Sequence, residues 1–190
     1  MAKVVVKAKQ KKIKRKFAVE IMAPEFLGKI SLGKSNVTDL DSVIGKTAKI
    51  NLMYITQNMK NQNIRLTFKV NEINSGLAKT FVSTYEQIPY YLSRTLKAGV
   101  TLIEDSFEIK SKNSIIKVKP FVITKFQTSV EIVRSIRAKI RELLTNEIKN
   151  KSVEDFISSV INGRIQVQLR NDLKKTFPIK SFEFRKIEVK

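Results

Sequence analysis

The chain has 190 residues, 42% of them hydrophobic, which is enough for one domain with a buried core and short for two. Its 37 Lys and Arg against 17 Asp and Glu give a net charge of +20, which destabilises a compact body unless a polyanion lies against it. With no Cys and no His, the chain lacks the groups for disulfides, zinc fingers, thiol nucleophiles, catalytic triads and histidine bases.

Residues 1–16 carry Lys3, Lys7, Lys9, Lys11, Lys12, Lys14, Arg15 and Lys16 and no acid. Such a block cannot bury apolar surface against its own repulsion, so it predicts a disordered basic arm. Nuclear-localisation and lipid-binding segments have the same look; the basic body that follows favours an RNA-threading tail. No apolar stretch follows these charges as in a secretory signal, and no apolar run approaches the ~20 residues of a membrane span. Neither a membrane nor a cofactor is expected, and the absence of Cys agrees with a cytoplasmic location.

Residues 17–190 read as one α+β domain: an antiparallel, strand-rich, barrel-like body over 17–126, helices over 127–177 and a last strand over 179–189. Phe17–Met22 is a predicted strand. After it, Gly28-Lys-Ile-Ser-Leu-Gly-Lys-Ser35 matches the phosphate-binding loop G-x-x-x-x-G-K-[ST]. That loop works only between a strand and a helix, whose backbone N–H groups and dipole hold the phosphate. Here Pro24-Glu-Phe-Leu27 separates the strand from Gly28, and turn formers from Ser35 to Asp41 follow Lys34. Ile30 and Leu32 alternate with Lys29, Ser31 and Gly33, a strand pattern. Gly28, Gly33, Lys34 and Ser35 are therefore a coincidental match, with no nucleotide expected.

Ala48, Ile50, Leu52 and Tyr54 alternate as a strand, as do Ile64, Leu66, Phe68 and Val70. A short helix is predicted from Pro89 to Ala98, with its proline in the first turn. Val100–Asp105 reads as a strand running into a polar turn. Phe107 and Ile109, a turn at 111–114, then Ile116, Val118 and Val122 predict a hairpin. Consecutive hairpins replace the β-α-β alternation of nucleotide-hydrolysing folds. The acidic pairs Asp39/Asp41, Glu104/Asp105 and Glu154/Asp155 read as turn or first-turn helix residues, not as catalytic carboxylates.

Thr128-Ser-Val-Glu131 has the form of a capping box opening a helix to about Asn146, and Ser152-Val-Glu-Asp155 a weaker cap for a second. Asn162-Gly163 breaks that one, and Ile165, Leu169 and Leu173 carry a third until Pro178. The pair could be read as a DNA-binding helix-turn-helix, but Arg164, Arg170, Lys174 and Lys175 form no base-reading cluster, so DNA is not the expected partner. In the closing strand the apolar phase switches between Phe184 and Ile187, which predicts a bulge at Arg185-Lys186.

On the first of these helices Ile132, Val133, Ile136, Ile140, Leu143 and Leu144 form one apolar stripe, and Arg134, Arg137 and Arg141 a row along its edge. The spacing puts like charges side by side, with Glu131 in reach of Arg134 alone. A guanidinium donates two parallel hydrogen bonds to a phosphate. The row, the arm residues Lys7, Lys9, Lys11, Lys12, Lys14, Arg15 and Lys16, and the bulge residues Arg185 and Lys186 are thus the candidate RNA contacts.

Four motifs occur in order along the chain: Met22-Ala-Pro-Glu-Phe-Leu-Gly28, Val43-Ile-Gly-Lys46, Phe126-Gln-Thr-Ser-Val-Glu131 with its arginine row, and Phe177-Pro-Ile-Lys180 leading to Phe184-Arg-Lys-Ile-Glu-Val189. From about Phe17 onward the chain resembles the small-ribosomal-subunit protein family of archaea and eukaryotes called eS-one, or S-three-a. The resemblance implies a non-catalytic protein that binds small-subunit rRNA on the platform, near the rRNA 3′ end and the mRNA exit, beside neighbouring small-subunit proteins. It also implies that Leu32-Gly-Lys-Ser35 is a lysine-rich variant of a structural Ile-Gly turn. One departure is Arg94-Thr-Leu-Lys97, where archaeal relatives tend to have consecutive arginines.

Overall fold

The computed structural model describes residues 16–190 other than Ser75, Asn113 and Asn150. Of the basic arm, only Lys16 falls among them, and it is exposed. The first two strands, β1 (Phe17–Met22) and β2 (Ser31–Val37), form an antiparallel pair. Between them a single turn over Glu25–Leu27 ends at Gly28, whose φ of +93° is the left-handed conformation glycine adopts without cost. The Walker-like string therefore spans this turn and a strand. Lys34 stands opposite Glu20 and Ser35 opposite Val19 in the ladder, and the strand runs on to Val37, so no helix begins at Ser35 to hold a phosphate.

Next come β3 (Thr47–Asn51) and α1 (Leu52–Thr56). The strand predicted through Leu52 and Tyr54 stops short because Asn51 caps a helix. Its Oδ1 accepts from the Met53 N–H at 3.0 Å, and its Nδ2 donates to the Gln62 carbonyl at 2.7 Å. A long hairpin, β4 (Ile64–Asn74) and β5 (Leu77–Gln87), leads into α2 (Pro89–Thr95). Three further strands are β6 (Leu102–Glu104), β7 (Phe107–Lys110) and β8 (Ile115–Thr124). Three helices follow, α3 (Val130–Lys149), α4 (Val153–Ile161) and α5 (Arg164–Lys174), before β9 (Ile179–Val189) closes the described chain.

The nine strands of the described residues belong to one sheet, antiparallel except for β1 against β5. That exception explains why the barrel-like body is an open sheet. One edge of β5 is taken by β4 along its length; the other is shared, with β1 at Leu77–Lys79 and β9 at Thr84–Glu86. The sheet forks there instead of closing. One branch ends at β2, the other runs through β9 and β8 to β6 and β7, and β3 is left as a free edge beyond β4.

The helices cover the forked sheet with their apolar stripes. Ile136, Ile140, Leu144 and Ile148 of α3, Phe156, Ile157 and Val160 of α4, and Ile165, Leu169 and Leu173 of α5 share one core with Phe182, Phe184 and Ile187 of β9. Ser152 caps α4 as its sequence suggests, accepting from the Asp155 N–H at 3.2 Å. The box at Thr128 does not form. The helix begins at Val130, the Thr128 N–H bonds instead to Thr101 Oγ1 at 3.0 Å, and the Thr128 hydroxyl is buried without a partner.

Candidate nucleic-acid interface

Arg134, Arg137 and Arg141 are exposed on α3, beside the buried stripe, as the 3.6-residue period requires. Their surroundings differ. Arg141 is committed to the fold: its Nε and Nη2 donate to the two carboxylate oxygens of Asp105 at 2.6 and 2.8 Å. Its guanidinium also lies 5.6 Å from the centre of the Phe107 ring. The Asp105 side chain is only 9% exposed. The bidentate pair fixes the β6–β7 corner against α3.

Hydrogen bonds from Arg141 hold the Asp105 carboxyl below its ordinary pKa, helped by the Ser106 N–H and by the nearby charge of Arg137. A depressed folded-state pKa contributes stability above the unfolded value of about 3.9 and loses it as pH falls through the lower, folded value. Arg141→Gln should therefore melt below the parent protein at pH 7. The gap between the two should close as thermal melts are taken to more acid pH.

Among the described residues Arg137 forms no ion pair, and it faces a groove. Lys117, Lys119 and Pro120 of β8, Arg185 of β9, and Glu104, Asp105 and Ser106 at the β6–β7 corner line the groove with it. The volume is about 600 Å³. The bulge expected in the last strand is what turns Arg185 toward it. Lys119 pairs with Lys186 and Pro120 with Phe184, so Arg185 is the extra residue. Pro120 has no N–H to offer the ladder at that step. Arg185 Nη1 then donates to Glu104 Oε1 at 2.9 Å, an exposed pair that orients the guanidinium without burying it.

Lys186 follows on the same strand, opposite Lys119, and its Nζ lies 2.5 Å from Glu188 Oε1. That hydrogen bond raises the Lys186 pKa and lowers that of Glu188, so both stay charged at neutral pH. Arg134 is exposed one turn before Arg137 but outside the groove, and forms no ion pair with Glu131. Lys7, Lys9, Lys11, Lys12, Lys14 and Arg15 lie outside the described residues.

The groove thus joins two sets that the sequence keeps apart by some fifty positions, Arg137 and Arg185, and adds Lys117 and Lys119. These two lysines alternate with Ile116 and Val118, a strand pattern that reads as packing until the β8–β9 register sets it beside Arg185. Glu104 and Asp105 are more than turn residues: each holds an arginine. Four cations against two carboxylates, both already engaged, leave a net positive surface suited to an anionic partner. Among the described residues, no cluster of acidic side chains could hold a metal ion, and no helix is long and apolar enough to cross a membrane.

The chain also matches known proteins over nearly its whole length. Residues 5–190 match the model of the Ribosomal S3Ae family. Over 173 residues the chain is 30% identical to small ribosomal subunit protein eS1 of Nanoarchaeum equitans, spanning 90% of this chain and 87% of that protein. To the eS1 protein of Archaeoglobus fulgidus it is 27% identical over 172 residues, 89% of this chain and 82% of the other. To that of Methanothrix thermoacetophila it is 24% identical over 184 residues, 96% and 86% of the two chains.

Proposed function

The chain belongs to the ribosomal S3Ae family, and on that footing we propose that its α3–β8–β9 groove binds the phosphate backbone of small-subunit rRNA. It is a structural protein of the small ribosomal subunit, not an enzyme, and its place is the ribosome in the cytoplasm. The observation that carries the RNA reading is the meeting of Arg137 with Arg185, Lys117 and Lys119 in one groove.

The mechanism is charge neutralisation on a rigid frame. Arg137 offers a planar fork to a phosphate, and Lys117 and Lys119 supply point charges along β8. Arg185 sits where Glu104 can release it to a phosphate at little cost, since exposed ion pairs are weak. Lys186 and Arg134 extend the track at either end, and Lys16 with the basic residues 7–15 adds contacts from the arm. Such contacts release condensed counterions and set the register of the protein on folded RNA without reading bases.

Following the family resemblance, we take the site to be the platform of the subunit, near the rRNA 3′ end and the mRNA exit, with other platform proteins as neighbours and a role in subunit assembly. The tagged chain should co-sediment with small subunits at moderate salt and be released at high salt. Sedimentation as a free protein at both salt concentrations would remove the ribosomal assignment.

A further inference from the structure

The fork in the sheet leaves two strand edges that share one cleft. Among the described residues β2 bonds only to β1, and β3 only to β4. Ile30, just before β2, and Ser31 and Leu32 at its start nevertheless line the same cleft, of about 410 Å³, as Lys49, Ile50 and Asn51 of β3. Apolar side chains form part of its wall: Leu32 and Ile50 pack on the main core, and Ile55 is buried. Tyr54 on its rim is 70% exposed, and Ile30 is 39% exposed.

Among the described residues the edge of β3 away from β4 has no ladder partner. The Val70 N–H bonds to the Lys46 carbonyl at 3.0 Å, and an antiparallel ladder alternates every second residue. Ala48 and Ile50 therefore bond to β4, while the N–H and C=O groups of Thr47 and Lys49 face away from it. We propose that the opening takes an extended segment of a second protein as an added strand against β3, apolar on its inward side and acidic on its outward side. That the donor is a neighbouring protein of the ribosome rests on the ribosomal reading above.

Main-chain chemistry favours a polypeptide over RNA here. A strand edge presents donors and acceptors in alternation at the ladder spacing, which an extended polypeptide backbone returns in register. The charges select the kind of polypeptide. Lys46 and Lys49 on the β3 side and Lys34 on β2 are exposed and form no ion pair among the described residues. Lysines on an edge repel a second copy of a chain with net charge +20, and equally this chain's own basic arm. An acidic strand meets no such barrier. Tyr54 and Ile30 then cover its apolar side chains, as Leu32 and Ile50 receive them.

The test is a photocrosslink inside assembled small subunits, with Tyr54→p-benzoylphenylalanine in the full chain. The expected product is a protein adduct whose attached peptide is acidic and extended. In the same background Lys49→Pro, which removes an outward N–H, should lower the yield at least tenfold, and Lys49→Gln should keep most of it. Should the proline disturb the body, Lys49→Glu leaves the edge intact, and it should lower the yield by repelling the acidic strand. Adducts to rRNA alone, to this chain's own arm, or no adduct from well-assembled subunits would overturn the proposal. A chain that never enters subunits would instead overturn the ribosomal reading, and this choice of partner with it.

Discussion

Replacing Arg137 and Arg185 together by glutamine is expected to weaken binding to small-subunit rRNA by roughly 25- to 60-fold at 0.1 M salt. Each phosphate contact contributes about 0.7–0.9 to the slope of log K against log salt, so two lost contacts remove about 1.4–1.8 units of slope. At 0.1 M, one decade below the 1 M reference, that change in slope gives the stated factor. Both side chains line one groove from different elements, so the double variant removes the centre of the contact and leaves Lys117 and Lys119 in place. The melting temperature should hardly move. Among the described residues Arg137 has no ion-pair partner to lose, and the Arg185–Glu104 pair has both side chains substantially exposed, at 51% and 38%. Arg141→Gln should behave oppositely, melting early with a nearly unchanged salt slope, because its guanidinium is spent on Asp105. A single filter-binding series across salt, run beside thermal melts, separates the two kinds of arginine.

Phe184→Ala should cost about 3–5 kcal/mol of stability, the usual loss for a large aromatic removed from a core that cannot collapse around the gap. Phe184 is fully buried, with its ring edge-on to Phe156 at 6.1 Å and to Phe182 at 5.4 Å between centroids. It stands on β9, which lies between β5 and β8 and receives α5 on its face, so a void there loosens three elements at once. It also precedes the bulge that aims Arg185, so RNA binding should fall with the fold. Phe126, 64% exposed, is the control: Phe126→Ala should stay within about 0.5 kcal/mol in the same urea titration. Equal losses at the two positions would mean that β9 is not the centre of the core.

Much of this was legible in the residues, and the exceptions have physical causes. β4 shows its register because Leu66, Phe68 and Val70 are large and buried while Arg65 and Lys69 are exposed. The bulge at Arg185 was legible as a break in a two-residue period. β5 was not, although it is the strand at which the sheet forks. Its buried positions include the small or polar Ala78, Thr80 and Gln87, while Phe81 on the other face is 37% exposed, which blunts the usual contrast. The strand expected through Tyr54 failed because a local cap at Asn51 outweighed an alternating pattern. The capping box at Thr128 failed because Thr101, far away in sequence, took the Thr128 N–H.

The site divides in the same way. Helical periodicity is local, so the arginine row was visible; its partners are not local, so the difference between Arg137 and Arg141 was invisible. Asp105 lies 36 residues before Arg141 and reads alone as a turn residue. Lys117 and Lys119 become functional candidates only through the pairing of β8 with β9.

The central claim is that rRNA lies along the groove between α3 and the β8–β9 pair. Ultraviolet crosslinking of intact small subunits, followed by mass spectrometry of nucleotide-bearing peptides from this chain, tests it most directly. RNA adducts should concentrate on peptides containing Lys117 and Lys119, Arg134 to Arg141, and Arg185 to Lys186. Adducts confined to the outer faces of α4 and α5, with the groove peptides recovered unmodified, would contradict it.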